Sequence, residues 1–306
     1  MLKIGDAMKE ANEQLKEKIK NPEFLAVSGS RLYGTNRENS DHDYRGFLIP
    51  PYEYLIGLLE FNCQQVETEE DTKLYSLKEF LKMLSNGDPQ CNELMFIPDD
   101  KIIKTSEFYE EIRANKHLFL SNVIYKRLMG FANSEWRKAM AIKYVLEKLP
   151  ADHDRTRLNM LNFLKERDAD TLTQREMLET FDSFRNSKLI SSVSNLGAKR
   201  KADYNEFGFC VSSACHSIRL VGELAELMEH GTISFPREDA VTLKAIRVGE
   251  VSKEDCQKLY EEATAKAKKA RDKSNFQDKP DNGKIKELYK SIILRTIKSD
   301  ERLLND

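Results

Sequence analysis

Cysteine is scarce in this chain, and what there is forms no pattern. Five cysteines, Cys63, Cys91, Cys210, Cys215 and Cys256, are scattered over 306 residues with no Cys-x-x-Cys pair. That argues against a zinc site and against a disulfide framework. Long apolar runs are missing too. No stretch is long and apolar enough for a membrane-spanning helix. The start, Met1 to Asp6, lacks the apolar core of a signal peptide. A reducing cytoplasm is therefore the expected setting, with no membrane partner. Charge excess is also absent. The net charge of −2 gives no global basic field to draw in nucleic acid, so any polynucleotide contact must come from a local patch. There is no internal repeat. What remains is 40% hydrophobic and 33% charged, which suits a globular protein with a sizeable core. The length allows one large domain or two modest ones.

One stretch carries chemistry. A short apolar run, Phe24 to Val27, leads into the turn Gly29-Ser30-Arg31-Leu32-Tyr33-Gly34-Thr35. Then comes Ser40-Asp41-His42-Asp43-Tyr44-Arg45-Gly46, followed by the apolar Phe47 to Ile49. In a strand, alternate residues share a face, so Asp41 and Asp43 are expected to point one way and His42 the other. Adjacent carboxylates repel unless a cation lies between them. Mg²⁺ takes hard oxygen ligands and bridges substrate phosphates, with Mn²⁺ the alternative. A Gly-Ser turn just before the acids offers backbone N–H groups and a hydroxyl to a phosphate. The stretch reads as a metal-dependent phosphoryl- or nucleotidyl-transfer site.

The spacing elsewhere predicts a helix over 3–20, strands at Phe24 to Val27 and Tyr44 to Pro50, and a helix from Tyr75 to Leu84 broken by Asn86-Gly87-Asp88-Pro89. The polar segment Asn62 to Thr72 alternates Glu67, Glu69 and Asp71, so one strand face is expected to present all three. From Ser106 onward the pattern is helical, with one amphipathic helix over 207–230 and a final pair near 252–272 and 283–304. The expected fold class is α+β: a small mixed sheet with flanking helices over residues 1–104, then a mainly helical domain over 105–306.

These residues resemble the nucleotidyltransferase superfamily that includes DNA polymerase β, and more closely its bacterial and phage branch found beside RNA ligases. The resemblance rests on Gly29, Ser30, Tyr33, Gly34, Thr35, Ser40, Asp43, Arg45 and Gly46. It continues through Asp71 to Phe80, Asp88-Pro89 to Glu93-Leu94, Leu118 to Ser121, His216 to Leu220, Gly231, Ile246-Arg247 and Gly249-Glu250. It implies transfer of a nucleoside monophosphate from an NTP such as ATP, with release of pyrophosphate, to RNA, tRNA or a protein. It further implies Asp41, Asp43 and Asp71 as catalytic and metal-holding acids, with Glu69 the next choice for the third. Gly29, Ser30, Arg31, Tyr33, Arg45, His216 and Arg219 are the implied nucleotide-binding residues. Relatives often carry a lysine four residues before this histidine. Here Ser212 stands there, and Arg219 is expected to supply the phosphate charge. A catalytically silent nucleotide or RNA sensor of the same fold is the other reading. Three further signals read as structure or surface. Asp152-His153-Asp154 repeats the acidic string but follows Pro150 without a Gly-Ser turn. Tyr125-Lys126-Arg127 and Lys199-Arg200-Lys201 read as solvated surface, the latter being the better site for phosphate-backbone contact.

Overall fold

The computed structural model describes residues 4–61, 64–67, 71–148, 198–300 and the single positions 162 and 178. Asp152-His153-Asp154 and Glu69 lie outside them, as do the side chains of Lys199, Arg200 and Lys201. The described residues form two compact units, one of 1–130, 220–244 and 261–306, the other of 131–219 and 245–260.

The first unit is built on a mixed five-stranded sheet of order β3-β4-β2-β1-β5. Its strands are β1 (Phe24–Ser28), β2 (Asp43–Leu48), β3 (Gln64–Glu67), β4 (Asp71–Ser76) and β5 (Ile102–Lys104). β2 runs parallel to β4, and the other pairings are antiparallel. Helix α1 (Ile4–Lys20) precedes the sheet, and the short α2 (Gly29–Tyr33) follows β1 directly. α3 (Tyr52–Leu55), α4 (Leu77–Ser85), α5 (Pro89–Glu93) and α6 (Glu107–Ala114) complete the N-terminal half. Three helices start on caps written in the sequence. The Ser76 hydroxyl accepts from the Glu79 amide, the Asp88 carboxylate from that of Cys91, and the Ser106 hydroxyl from that of Tyr109.

The sheet buries both faces, with different chemistry along each. On one face Leu48 and Leu74 pack with Leu15 of α1, joined by Ile19, Leu25, Tyr54 and Phe61. On the other, the registers align three rungs across β1, β2 and β4: Phe24, Phe47 and Tyr75; Ala26, Arg45 and Lys73; Ser28, Asp43 and Asp71. Partners in a rung share a face. The first rung is core. Tyr109 of α6 stacks on Phe24 at 3.7 Å and Phe80 of α4 stacks on Phe47 at 4.8 Å. Full burial of each such ring stabilises by about 1.5–3 kcal/mol.

The remaining elements are helical: α7 (Asn122–Lys148), α8 (Ala198–Phe207), α9 (Val211–His230), α10 (Ala240–Arg247), α11 (Lys253–Lys273) and α12 (Asn282–Ser299). A mixed α/β start followed by a mainly helical region is the expected fold class. Several details differ from expectation. The helix expected over 207–230 starts later, because Gly208 at φ 76° ends α8 and breaks the chain before α9. Glu67 and Asp71 do not lie along one strand. The chain reverses between β3 and β4, which sets Glu67 and Asp71 opposite each other as register partners. In the second unit Trp136 stacks on Tyr260 at 4.2 Å, the Tyr260 hydroxyl donates to Asn133, and the buried Ser217 hydroxyl donates to the Ala132 carbonyl. Four cysteines, Cys91, Cys210, Cys215 and Cys256, are free and buried. No helix among the described residues is long and apolar enough to cross a membrane.

Within the first unit, the segment after α9 fastens the turn that follows β1. The Arg237 amide donates to the Tyr33 carbonyl at 3.1 Å, and Phe235 packs 6.1 Å from the Tyr33 ring. Gly34 at φ 74° lies so close to Pro236 that a Cβ there would come within 2.8 Å of the proline Cβ. The buried Arg237 side chain pairs with Glu226 and lies 3.4 Å from Asp239, while the Ser234 amide and hydroxyl also donate to Glu226. Burial pushes the Glu226 carboxyl up, but the bonds from Ser234 and Arg237 outweigh it and leave the carboxyl below its ordinary value. A depressed carboxyl contributes stability above its unfolded pKa, about 4.3, and that stability is lost as pH falls through the folded value. Glu226→Gln is therefore expected to lower the melting temperature at pH 7 and to flatten its fall below about pH 4.3. Parallel acid-side melting profiles in the two proteins would show that the carboxylate does not hold this segment.

Candidate active site

The acidic rung stands where β1 ends and β2 and β4 begin. Ser28 is the last residue of β1, and Asp43 and Asp71 open the two parallel strands beside it. The Asp71 amide donates to the His42 carbonyl at 3.2 Å, which carries the ladder one residue upstream of β2. Both aspartates leave the same sheet face by register, and Glu67 takes the next position in the row on β3. The row is thus assembled from four strands rather than read along one.

The turn after β1 is shaped to receive the Asp43 carboxylate. Gly29 takes φ 63°, and a Cβ at this position would fall 1.9 Å from Asp43 Oδ2. The carboxylate therefore lies against the Gly29 backbone, beside Ser30 at the start of α2. Ser28 is buried, and its hydroxyl has no hydrogen-bond partner among the described residues. It caps nothing on α2, so an unsatisfied polar atom sits at the end of the acidic row.

Asp41 is placed differently from expectation. It precedes β2 in an exposed loop, so the alternation of a strand does not set it beside Asp43. The loop has its own fastenings. Arg31 Nη2 donates to the Ser40 carbonyl at 2.9 Å, and the Arg37 amide donates to the Ser40 hydroxyl at 2.8 Å. His42 keeps company with Tyr44, whose hydroxyl lies 3.3 Å from its Nδ1. Arg31, expected at a phosphate, has one guanidinium nitrogen engaged in orienting the approach to Asp43. The Tyr33 hydroxyl donates to Glu93 Oε2 at 2.7 Å, and Glu93 is buried. Arg45 lies one rung below Asp43, paired in register with Lys73.

His216 and Arg219 lie on α9, in the second unit. Their spacing brings them together as expected, with Arg219 Nη2 3.2 Å from His216 Nδ1. Arg219 is only 5% exposed, whereas His216 is half-buried. Ser212 donates both its amide and its hydroxyl to Asp203.

The donor set suits a hard divalent cation. Two carboxylates share a rung, and a hydroxyl unpartnered among the described residues ends it. Among the described residues, however, no three His, Cys, Asp or Glu side chains gather into a complete metal site. Ser28 and Lys73 escaped the sequence reading, because their places follow only from the pairing register.

A Gly-Ser turn closing on a strand-opening aspartate, with a second aspartate on the parallel neighbour, places the molecule in the polymerase β-like nucleotidyltransferase class. The chain belongs to the RNA repair pathway DNA polymerase beta family, whose profile matches residues 4–279. An uncharacterized 38.9 kDa protein from the nrdC-mobD intergenic region of Enterobacteria phage T4 is 28% identical over 122 residues, 36% of either chain. The chain thus covers little more than a third of that relative's length. No solved structure matches. Membership of the family points to nucleotidyl transfer as the chemistry of this fold.

The fit at Gly29 is testable. A side chain there meets both a left-handed backbone, which costs about 1–2 kcal/mol, and the Asp43 carboxylate. Gly29→Ala is expected to lower the melting temperature and to reduce NTP-dependent activity at least about tenfold, since a small displacement of a reacting group has large effects. Wild-type activity in Gly29→Ala would show that the close approach does not position the acid.

Proposed function

We propose that the protein transfers a nucleoside monophosphate from an NTP to a hydroxyl of an RNA acceptor and releases pyrophosphate. The rung of Ser28, Asp43 and Asp71 against the Gly29-Ser30 turn carries this reading. Asp43 and Asp71, with Asp41, would hold Mg²⁺ or Mn²⁺, which when bound stabilises charge on the attacking and leaving oxygens. Ser30 and the amides of the turn would hold the β- and γ-phosphates. The acceptor oxygen bonds to the α-phosphorus, the bond from that phosphorus to the bridging oxygen breaks, and pyrophosphate carries away the electron pair. Asp71 is assigned the acceptor proton, being at the open end of β4 and exposed. Arg31 and Tyr33, each fastened by its own bond, shape the turn. Arg45 offers a cation one rung below the acids.

Purified protein given labelled NTP, Mg²⁺ and RNA is expected to release pyrophosphate and to stop in excess EDTA. Asp43→Asn should lower turnover by more than about a hundredfold with little change in melting temperature. Asp71→Ala should do the same, and Glu69→Ala should remain active. An active Asp71→Ala beside a dead Glu69→Ala moves the third acid to Glu69. Tight NTP binding without pyrophosphate, across all four nucleotides and broad acceptor pools, would replace the enzyme with a sensor.

A further inference from the structure

Several lysines on helix surfaces are neutralised locally. Lys16 pairs with Glu13, Lys20 with Glu17, Lys82 with Glu79, Lys258 with Asp255, Lys284 with Asp281 and Lys290 with Glu287, each one helical turn apart. The last turns of α11 concentrate cations instead. Residues 266–273 read Lys-Ala-Lys-Lys-Ala-Arg-Asp-Lys, with five cations and one acid. Among the described residues only Lys266 has an ion pair there, at 3.7 Å from Glu229. Lys268, Lys269, Arg271 and Lys273 are exposed and make none among the described residues.

The start of α7 lies alongside. The Arg271 guanidinium sits over the Tyr125 ring at 5.0 Å. The turn after α11 is tied to the residues before α7, since the Asn122 amide donates to the Gln277 carbonyl at 2.9 Å and the Gln277 side chain to the Leu118 carbonyl. Lys126, next to Tyr125, is exposed and equally without an ion pair among the described residues. All these residues belong to the first unit.

We propose that Tyr125 and Lys126 of α7, with Lys268 and Arg271 of α11, form a seat for the sugar-phosphate backbone of a single-stranded RNA acceptor. The proposal rests on the transfer reading above and names where its acceptor is held. Three arguments carry it. Unpaired cations on a nearly neutral protein attract a polyanion locally. A guanidinium stacked on an aromatic ring is already ordered, so it forks onto phosphate oxygens at low entropic cost. Lys268 and Arg271 are one turn apart and present their charges side by side.

The test measures binding of a fluorescein-labelled single-stranded RNA of about 16 nucleotides to the full chain by anisotropy, across a KCl series. In the Lys126→Gln/Lys268→Gln/Arg271→Gln variant the slope of log K against log salt is expected to fall by about 2. Each phosphate contact on a single strand contributes about 0.7. Affinity at low salt should drop at least about tenfold. The Lys126→Gln/Lys268→Gln variant, which leaves the Tyr125 stack intact, should lose a part of that slope at an unchanged melting temperature. Equal slopes and affinities in all three proteins, or no RNA binding by the wild type, overturn the seat. A protein acceptor labelled equally well by the triple variant, with no RNA bound, overturns it too and leaves nucleotidyl transfer standing. RNA binding that depends on the seat, but with no pyrophosphate released, sinks the transfer reading and leaves the seat.

Discussion

The register of β1, β2 and β4 is the constraint on which the acidic corner depends. Strand side chains alternate, so a slip of one residue turns every side chain to the opposite face. The rung that carries Ser28, Asp43 and Asp71 belongs to the same strands as the rung of Phe24, Phe47 and Tyr75. Those aromatics are buried, stacked on Tyr109 and Phe80. A slip would carry them out of their packing and turn both carboxylates toward the leucines beneath α1. Burial of a ring is worth about 1.5–3 kcal/mol, and burial of an unpaired charge costs more than that. The hydrophobic end of the sheet therefore fixes the geometry of its polar end.

The turn between β1 and β2 needs its own support, because five residues of α2 cannot hold themselves. It is held at both ends by close approaches that only glycine allows. Gly29 lies against Asp43 and Gly34 against Pro236. Between them Tyr33 reaches the buried Glu93 of α5, and Arg31 reaches the Ser40 carbonyl. The supports come from α5, from the segment after α9 and from the loop itself, elements far apart in the chain. The site is thus a joint product of the sheet, α5 and the segment after α9, although its motif is continuous in sequence.

Much of this was legible in the residues. The Gly-Ser turn, the strand before it and the strand after it follow from apolar runs and a glycine punctuating them. Ser106 stands at the helix start that the spacing implies and caps it. Two expectations failed for one physical reason. Alternation along the chain holds only within a single strand, and neither Asp41-His42-Asp43 nor the pair Glu67 and Asp71 lies in one. Asp41 lies in a fastened loop, and Glu67 faces Asp71 across a hairpin. Local spacing identifies which residue types are present, but a sheet assembles its rows across strands. Ser28 and Lys73 were invisible for that reason, since nothing in their neighbourhood distinguishes them from ordinary strand residues. Burial of Arg219 was equally hidden, because helical spacing pairs it with His216 without saying how much solvent either one sees.

The near-zero net charge describes a sum and not a surface. Acids stand at the starts of β2 and β4, several helix lysines are neutralised by an acid one turn away, and cations without an ion pair among the described residues accumulate at the end of α11. This division has a consequence for a protein that handles polyanions. A uniformly basic chain binds any phosphate backbone in any orientation, whereas a few fixed cations on a balanced background act only where a strand lies across them. An exposed salt bridge contributes little to stability, commonly under about 1 kcal/mol. The paired lysines are thus better understood as charge removed from the competition than as braces for the helices. The unpaired ones are what remains to orient a partner, and the stack of Arg271 on Tyr125 fixes one of them in place before any partner arrives.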